Sequence, residues 1–197
     1  NKKIEDTITK LRRCSKCVLP ETYPYISFDK NGVCNFCNTF TPKKKLGQEK
    51  LQSIIEDSYK NLNHKKCLVG LSGGFDSCYT LFATKKLLNL DPVAYTYDWG
   101  LTTDYARVNQ SILCQKLGVE HIIRTEDLSI KRNHIKKNLI AWLKQPNPGM
   151  IPILMAGDKK FLYHEKLLRK KLNIPITFFG TGDQTENRPF YYFFAGA

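Results

Sequence analysis

The sequence predicts an α/β fold: a parallel sheet with helices on both faces, preceded by a small cysteine-bearing module. Three observations carry this prediction. From residue 67 onward, short apolar runs alternate with helix-length stretches, which is the pattern of a helix-covered parallel sheet. The first of those runs leads straight into a glycine-rich turn, Ser72-Gly73-Gly74. Upstream, Cys14, Cys17, Cys34 and Cys37 form two Cys-x-x-Cys pairs in a stretch too short to build its own apolar core.

The elements follow in order. Residues 49–62 read as a helix, with Leu51, Ile54, Ile55, Tyr59 and Leu62 on one face. The preceding Lys43-Lys44-Lys45 reads as a linker, so the chain divides into an N-terminal module over 1–45 and a main domain over 46–197. Residues 67–71 are a short buried strand. Residues 77–89 form a helix with Cys78, Leu81, Phe82 and Leu88 inward. Residues 93–97 form the second strand. Residues 103–117 form a helix with Val108, Ile112, Leu113 and Leu117 inward, and Gly118 stops it. Residues 121–124 are the third strand and 128–143 the next helix. Asp158 caps a helix reaching Leu172, with Phe161, Leu168 and Leu172 buried, and 176–179 close the set as a fourth strand. The whole is a Rossmann-like arrangement.

Composition narrows the function. The 197 residues carry 31 Lys plus Arg against 18 Asp plus Glu, a net charge of +13. Most basic residues come as dispersed doublets such as Lys131-Arg132 and read as solvated helix faces, yet the excess favours an anionic partner. No run approaches the length of a membrane span and the N-terminus has no signal pattern, so the expectation is a soluble, cytoplasmic protein without a membrane partner. Seven cysteines, four of them paired, do not read as a disulfide scaffold.

The segment from Leu71 through Ser72, Gly73, Gly74, Phe75, Asp76 and Ser77 is the most informative. A strand ends at Leu71 and a helix starts near Asp76. Glycines let the backbone turn tightly and approach a ligand. The exposed N–H groups and positive dipole end at the helix start make an anion site. Ser72 and Ser77 can donate to phosphate oxygens, and Asp76 suits a Mg²⁺ bridging the phosphates. The loop lacks the Gly-Lys-Ser/Thr ending of a Walker A motif. A plain Gly-Gly turn with a capping Asp is the bland alternative.

The two cysteine pairs, sixteen residues apart, have the spacing of a four-thiolate zinc site. Such a closed site is structural, and zinc binding supplies the folding energy that the short stretch lacks. An iron–sulfur cluster and free thiols are the alternatives. Cys67, Cys78 and Cys114 read as core residues rather than nucleophiles.

Ser72-Gly73-Gly74-Phe75-Asp76-Ser77 resembles the Ser-Gly-Gly-x-Asp-Ser loop of the ATP pyrophosphatases, also called PP-loop or adenine-nucleotide alpha-hydrolase-like enzymes. That superfamily includes GMP synthetase, asparagine synthetase and tRNA thiolases. The resemblance implies that ATP is cleaved between its α and β phosphates, the loop taking pyrophosphate while AMP goes onto a substrate oxygen. Many members carry Lys or Val where this chain has Phe75.

Beyond the loop the chain resembles the N-acetyl sugar amidotransferases of bacterial surface-polysaccharide and nonulosonic-acid pathways. The resemblance runs through Cys14-Ser15-Lys16-Cys17-Val18-Leu19-Pro20, Phe28-Asp29, Asn31-Gly32-Val33-Cys34-Asn35, Cys37, Tyr97 to Asp104, Asn138-Leu139, Ala141-Trp142-Leu143 and Met155 to Lys159. The stretch from Phe179 to Ala197 departs from that branch, whose members run on further, so a C-terminally shortened chain is expected. The implied reaction adenylates an N-acetyl carbonyl and replaces its oxygen with ammonia nitrogen, giving an acetamidino group. ATP, Mg²⁺ and Zn²⁺ are the implied ligands. With no glutaminase signature in the chain, a separate glutaminase and a cyclase-like ammonia-conducting subunit are the implied partners; nucleic acid is the less favoured one.

Roles follow from the resemblance and from position. Leu71, Ser72, Gly73, Gly74, Asp76 and Ser77 bind the ATP phosphates, with Tyr97 and Gly157 completing the nucleotide site. Asp98 contacts ribose or a second metal, or else caps the next turn. Trp99 and Asp104 face the sugar; Trp99 as a core residue is the alternative. Gly157, Asp158 and Lys159 approach the α-phosphate or simply start a helix, and Lys159 is the candidate for the charge missing at Phe75. Two other functions share these motifs: a tRNA thiolase, and an inactive nucleotide-binding scaffold bearing a zinc-ribbon interaction module.

Overall fold

The structure, a computed structural model, describes residues 8–41, 46–146, 152–153 and 160–180. In the N-terminal module, isolated bridges Arg13–Pro20 and Phe28–Cys34 flank the two cysteine turns, and a short helix α1 (Asn35–Thr39) follows. Then come α2 (Gly47–Tyr59), β1 (Lys66–Gly70), α3 (Phe75–Lys86), β2 (Asp91–Asp98), α4 (Asp104–Leu117), β3 (His121–Thr125), α5 (Leu128–Lys144), α6 (Lys160–Leu172) and β4 (Thr177–Phe179).

The four strands form one parallel sheet in the order β3-β2-β1-β4. Leu68 lies between Val93 on one side and Thr177 on the other, while Ala94 pairs with His121. The chain therefore builds outward from β1 to β3 and then returns to place β4 on the opposite flank of β1. That reversal leaves a crevice at the carboxyl ends of β1 and β4, where open parallel sheets bind ligands.

Strand alternation divides the core between two faces. Cys67, Val69, Leu71 and Ala94 meet Leu81 of α3 and Cys114 of α4, with Ile55 and Tyr59 of α2 packed against them. Leu68, Val93 and Tyr95 meet Leu168 of α6 and Ile174 on the other face. Helices thus cover both faces, as the alternation predicts. Burying a side chain of this kind contributes about 1.5–3 kcal/mol.

Several boundaries and orientations differ from expectation. The second helix starts at Gly47 and Ile54 is exposed, because Ile55 and Tyr59 alone turn toward the sheet. Phe82, Val108 and Ile112, expected inward, are exposed. In α4 the buried stripe is Gln110 and Cys114 instead. The Gln110 amide donates to the Leu71 carbonyl at 3.4 Å, so a polar residue takes the inward position that apolar periodicity alone assigns to Val108. Leu88 lies beyond the end of α3 yet still packs on the core. Gly118 does stop α4, in the left-handed conformation at φ 62°, with its N–H bonded back into the last turn. Asp158 lies outside the described residues. Among those described, no helix is long and apolar enough to cross a membrane.

Candidate active site

The strand–turn–helix unit is held from every side. Leu71 N–H donates to Tyr95 O at 2.7 Å, and the Leu71 carbonyl accepts from the Thr96 hydroxyl and the Gln110 amide. Past it the chain turns at Gly73, whose φ is +86°. A Cβ there would lie 2.4 Å from the Ala106 carbonyl oxygen and 2.8 Å from Ala106 Cα, both backbone atoms of α4. Only glycine meets the dihedral and the close approach together. The Gly73 carbonyl is tied down by Asn109 Nδ2 at 3.1 Å, which fixes the turn to α4.

Ser77 braces the turn from within. Its buried hydroxyl donates to Gly74 O at 3.0 Å, accepts from Ser72 N–H at 3.1 Å and lies 3.0 Å from Ser72 Oγ. The expectation that Ser77 reaches a ligand is thus joined by a structural role. The N-cap of α3 is Gly74, with no side-chain cap. The carbonyls of Gly73 and Gly74 are engaged, and the first-turn N–H groups have no intrahelical acceptor. Asp76 stands exposed on that first turn, and its carboxylate forms no ion pair among the described residues. A single carboxylate suits Mg²⁺ bound chiefly through phosphates and water. Phe75 points outward, 84% exposed, and stacks on Tyr79.

The turn opens into a cleft of about 450 Å³ at the carboxyl edge of the sheet. Leu71, Ser72 and Ser77 line one side, Tyr97, Trp99 and Lys131 another, and Phe179 with Gly180 the wall beyond β4. Gly180 is forced by contact: a Cβ there would sit 2.5 Å from Asp76 O. Gly73, Gly74 and Asp76 shape the turn without lining the cleft floor.

Tyr97 is fixed at the end of β2. Its hydroxyl donates to Glu126 Oε2 at 2.5 Å, and Glu126 Oε1 accepts from Lys160 Nζ at 2.6 Å. Burial and the bond to Glu126 raise the Tyr97 phenol. Burial would raise Glu126 too, but donation from Lys160 and Tyr97 outweighs it and holds the carboxyl low. Asp98 is buried and fully engaged: Oδ1 accepts from Gly100 N–H at 2.9 Å and Thr102 Oγ1 at 3.2 Å, and Oδ2 pairs with Arg107 at 2.7 Å. It therefore caps the turn after β2, the bland alternative for this residue. Trp99 lines the cleft, with Lys131 Nζ 5.1 Å from its ring centroid. Asp104 is exposed on the first turn of α4 and does not line the cleft. Gly157 and Lys159 lie outside the described residues.

Sequence reasoning missed Lys131, Thr102, Thr103, Phe161 and Phe179, all in the cleft lining. Lys131 read as half of a solvated doublet. Its one signal is position, in the turn that follows a strand's carboxyl end, where α5 starts with Asp127 as its side-chain cap.

The four cysteines of the N-terminal module converge, their sulfurs all within 4.8 Å of one another. Cys14 and Cys37 sulfurs are 3.8 Å apart, Cys17 and Cys34 sulfurs 3.6 Å. Bond lengths of about 2.3 Å to a tetrahedral ion imply sulfur separations of about 3.8 Å, so the set fits one metal ion. Burial raises the Cys14 thiol, but N–H donors from Cys17, Cys34 and Lys16 outweigh it and bring it down to about 6. Cys67, Cys78 and Cys114 lie in or against the core and outside the cleft lining. Burial pushes the Cys67 thiol up to about 12 and raises the other two.

A glycine turn between β1 and an uncapped helix, opening on a switch-point crevice, defines an α/β protein with an open cleft at the carboxyl edge of its sheet. No family model matches the chain, and no curated protein matches it. Among solved structures it is similar to an NMN synthetase from Francisella tularensis, at 18% identity and TM-score 0.44, over 65% of this chain and 50% of that one. It is also similar to an NH3-dependent NAD synthetase from Campylobacter jejuni, at 22% identity and TM-score 0.44, over 70% and 56%. A third is a U34-tRNA thiolase from Methanococcus maripaludis with its [4Fe-4S] cluster, at 17% identity and TM-score 0.40, over 86% and 54%. The chain spans about half the length of these structures.

Proposed function

We propose that this chain is an ATP-dependent, AMP-forming sugar amidotransferase of the PP-loop type. The observation that carries the reading is the uncapped start of α3 behind the Gly73–Gly74 turn, a segment whose Ser72 and Ser77 line the cleft beside β4. There the β and γ phosphates accept from first-turn N–H groups, and Ser72 adds its hydroxyl. Asp76 would hold Mg²⁺, which offsets phosphate charge when bound. The adenylyl portion extends along the cleft toward Tyr97 and Trp99.

The acceptor is an N-acetylated sugar, stacked on Trp99. Its carbonyl oxygen attacks the α-phosphorus, the bond from α-phosphorus to the bridging oxygen breaks, and pyrophosphate leaves. Ammonia then attacks the resulting imidate carbon. The carbon–oxygen bond breaks, AMP departs with the former acetyl oxygen, and loss of a proton leaves the acetamidino group. This chemistry needs oriented charge at phosphorus more than a protein nucleophile. Ammonia is drawn from a separate glutaminase, through a cyclase-like partner. The cysteine module holds Zn²⁺ as a structural ion; the sulfur spacing supports one ion over a cluster that places its thiolates on separate irons.

The test is incubation with ATP, Mg²⁺, ammonium and N-acetylated nucleotide-sugars or nonulosonic acids. AMP and pyrophosphate should form only with acceptor and ammonium, with product mass changed by replacement of O with NH. Acetyl-¹⁸O acceptor should yield labelled AMP. ADP as product, or AMP without the label, would end this reading. A tRNA thiolase draws support from the net charge of +13, but the described cysteines offer no thiolate in the cleft; sulfur incorporation into tRNA would restore it.

A further inference from the structure

α3 and α4 are apolar on the side that faces away from the sheet. Ser77, Leu81 and Thr84 of α3 turn inward, and so do Gln110 and Cys114 of α4. The opposite face of such a helix is ordinarily polar. On α3 it is occupied by Phe75, Tyr79 and Phe82. Their rings form a ladder, with Phe75 stacked on Tyr79 at a centroid distance of 6.4 Å and Phe82 a further 6.3 Å from Tyr79. Tyr105, Val108 and Ile112 stand exposed on α4. The two helices lie side by side: Leu81 and Cys114 share one core cluster, and Asn109 is bonded to the turn that starts α3. Their outward faces therefore make one surface.

That surface is large for a monomer. Phe75, Tyr79, Phe82 and Tyr105 are 84%, 54%, 40% and 86% exposed. At about 200 Å² per aromatic side chain, their exposed parts come to roughly 500 Å², and Val108 and Ile112 add to it. Monomers rarely show a contiguous apolar patch beyond a few hundred Å². Each partner in a stable complex contributes about 800 Å², and the aromatic side chains alone supply more than half of that.

Charge selects the occupant. A chain of net charge +13 repels its own copy over much of its surface. α5 has five basic residues and no acid, and α6 has five against Glu165 alone. α3 and α4 differ. Lys85 pairs with Asp91 at 3.3 Å and Arg107 with Asp98 at 2.7 Å, within the chain. That leaves Asp76 in the first turn of α3 and Lys86 in its last, with Asp104 and Lys116 in the same places on α4. Both helices return from parallel strands on one face of the sheet, so they run the same way. The surface is acidic at one end and basic at the other, which makes it complementary to itself turned end for end.

We propose that the outward face of α3 and α4 docks a second copy of the chain, about a two-fold axis lying across the two helices. Each helix then runs against its counterpart, acidic ends meet basic ends, and the helix dipoles oppose one another. The ladder is centred on Tyr79, so Phe75 of each copy comes against Phe82 of the other. The contact is independent of what the cleft holds.

Sedimentation velocity and light scattering on the full chain, across a dilution series, test this. The parent should reach twice the 22.7 kDa chain mass. Tyr79→Glu should weaken association by about a hundredfold or more, the scale for a central aromatic lost from both sides of an interface, and should melt at the parental temperature. Asp104→Lys should weaken association severalfold at low salt, and adding Lys116→Asp should restore it. A parent that stays monomeric throughout overturns the inference, whether residues 181–197 or another protein covers the face. A dimer that survives Tyr79→Glu overturns it too, and its loss on changing Phe193 and Phe194 to Ser would move the contact to the C-terminal segment. A double charge variant no tighter than Asp104→Lys overturns the antiparallel arrangement.

Discussion

Gly73 is where local backbone and tertiary contact make the same demand. Its φ of +86° disfavours any side chain, and the Ala106 backbone occupies the place a Cβ would take. Gly73→Ala should lower stability by about 1–3 kcal/mol, the usual scale for such strain, and should abolish pyrophosphate binding because the turn must move off α4. Urea unfolding beside pyrophosphate titration checks both; a variant of parental stability and affinity would show that the turn tolerates the shift. Acid sensitivity also resolves to single residues. The Thr96 hydroxyl donates to Leu71 O, so it accepts from the Nε2–H of His121, 2.8 Å away. Burial lowers the His121 pKa from its ordinary 6.5. Its unfolded form binds protons first, so its contribution is complete above pH 6.5 and declines as pH falls below that. Glu126 and Asp98, both held below their ordinary 4.5 and 3.8, contribute fully above those values and fail as pH falls through their folded values. Guanidinium unfolding from pH 8 to 3 should therefore show two declines, with His121→Gln removing the upper one. A single decline confined below pH 4.5 in the parent would count against the histidine assignment.

At the level of elements, what could be read ahead and what could not divide along a physical line. Strand–helix alternation, the Gly118 stop and the glycine turn are local properties of a few neighbouring residues. They appear in the structure within a few positions of where the sequence puts them. Orientation about a helix axis is not local. Gln110 displaces Val108 from the inner face of α4 because the Leu71 carbonyl needs a donor, a fact that belongs to another element. Lys131 was missed for the same reason, since its burial depends on Trp99 two elements away. The cysteine module is legible from spacing because metal geometry itself sets the spacing. Its dependence on metal is the prediction proper to this scale. The purified protein should contain zinc at one equivalent. Chelation, or Cys34→Ser, should unfold residues 8–41 while the far-ultraviolet signal of the sheet domain and its pyrophosphate binding persist. Iron in place of zinc, or loss of both parts together, would contradict a self-contained structural ion.

For the molecule as a whole, charge and topology work at different ranges. The net charge of +13 draws anions from any direction, whereas the cleft presents one fixed set of groups, with Ser72, Ser77 and Lys131 in its lining. Topology decides when that cleft exists. β1 gains one neighbour, β2, through a short crossover, and gains the other, β4, only after α4, β3, α5 and α6 have been made. Phe179, the last residue of β4, and Gly180 just after it form one wall of the cleft, and Gly180 lies so near α3 that an added Cβ would sit 2.5 Å from the Asp76 carbonyl oxygen. A polypeptide still emerging from the ribosome has the glycine turn early and its opposing wall late. Any ligand of this cleft thus meets a site with one wall missing throughout most of synthesis, and ligand-assisted maturation is reserved for a chain that has already delivered β4.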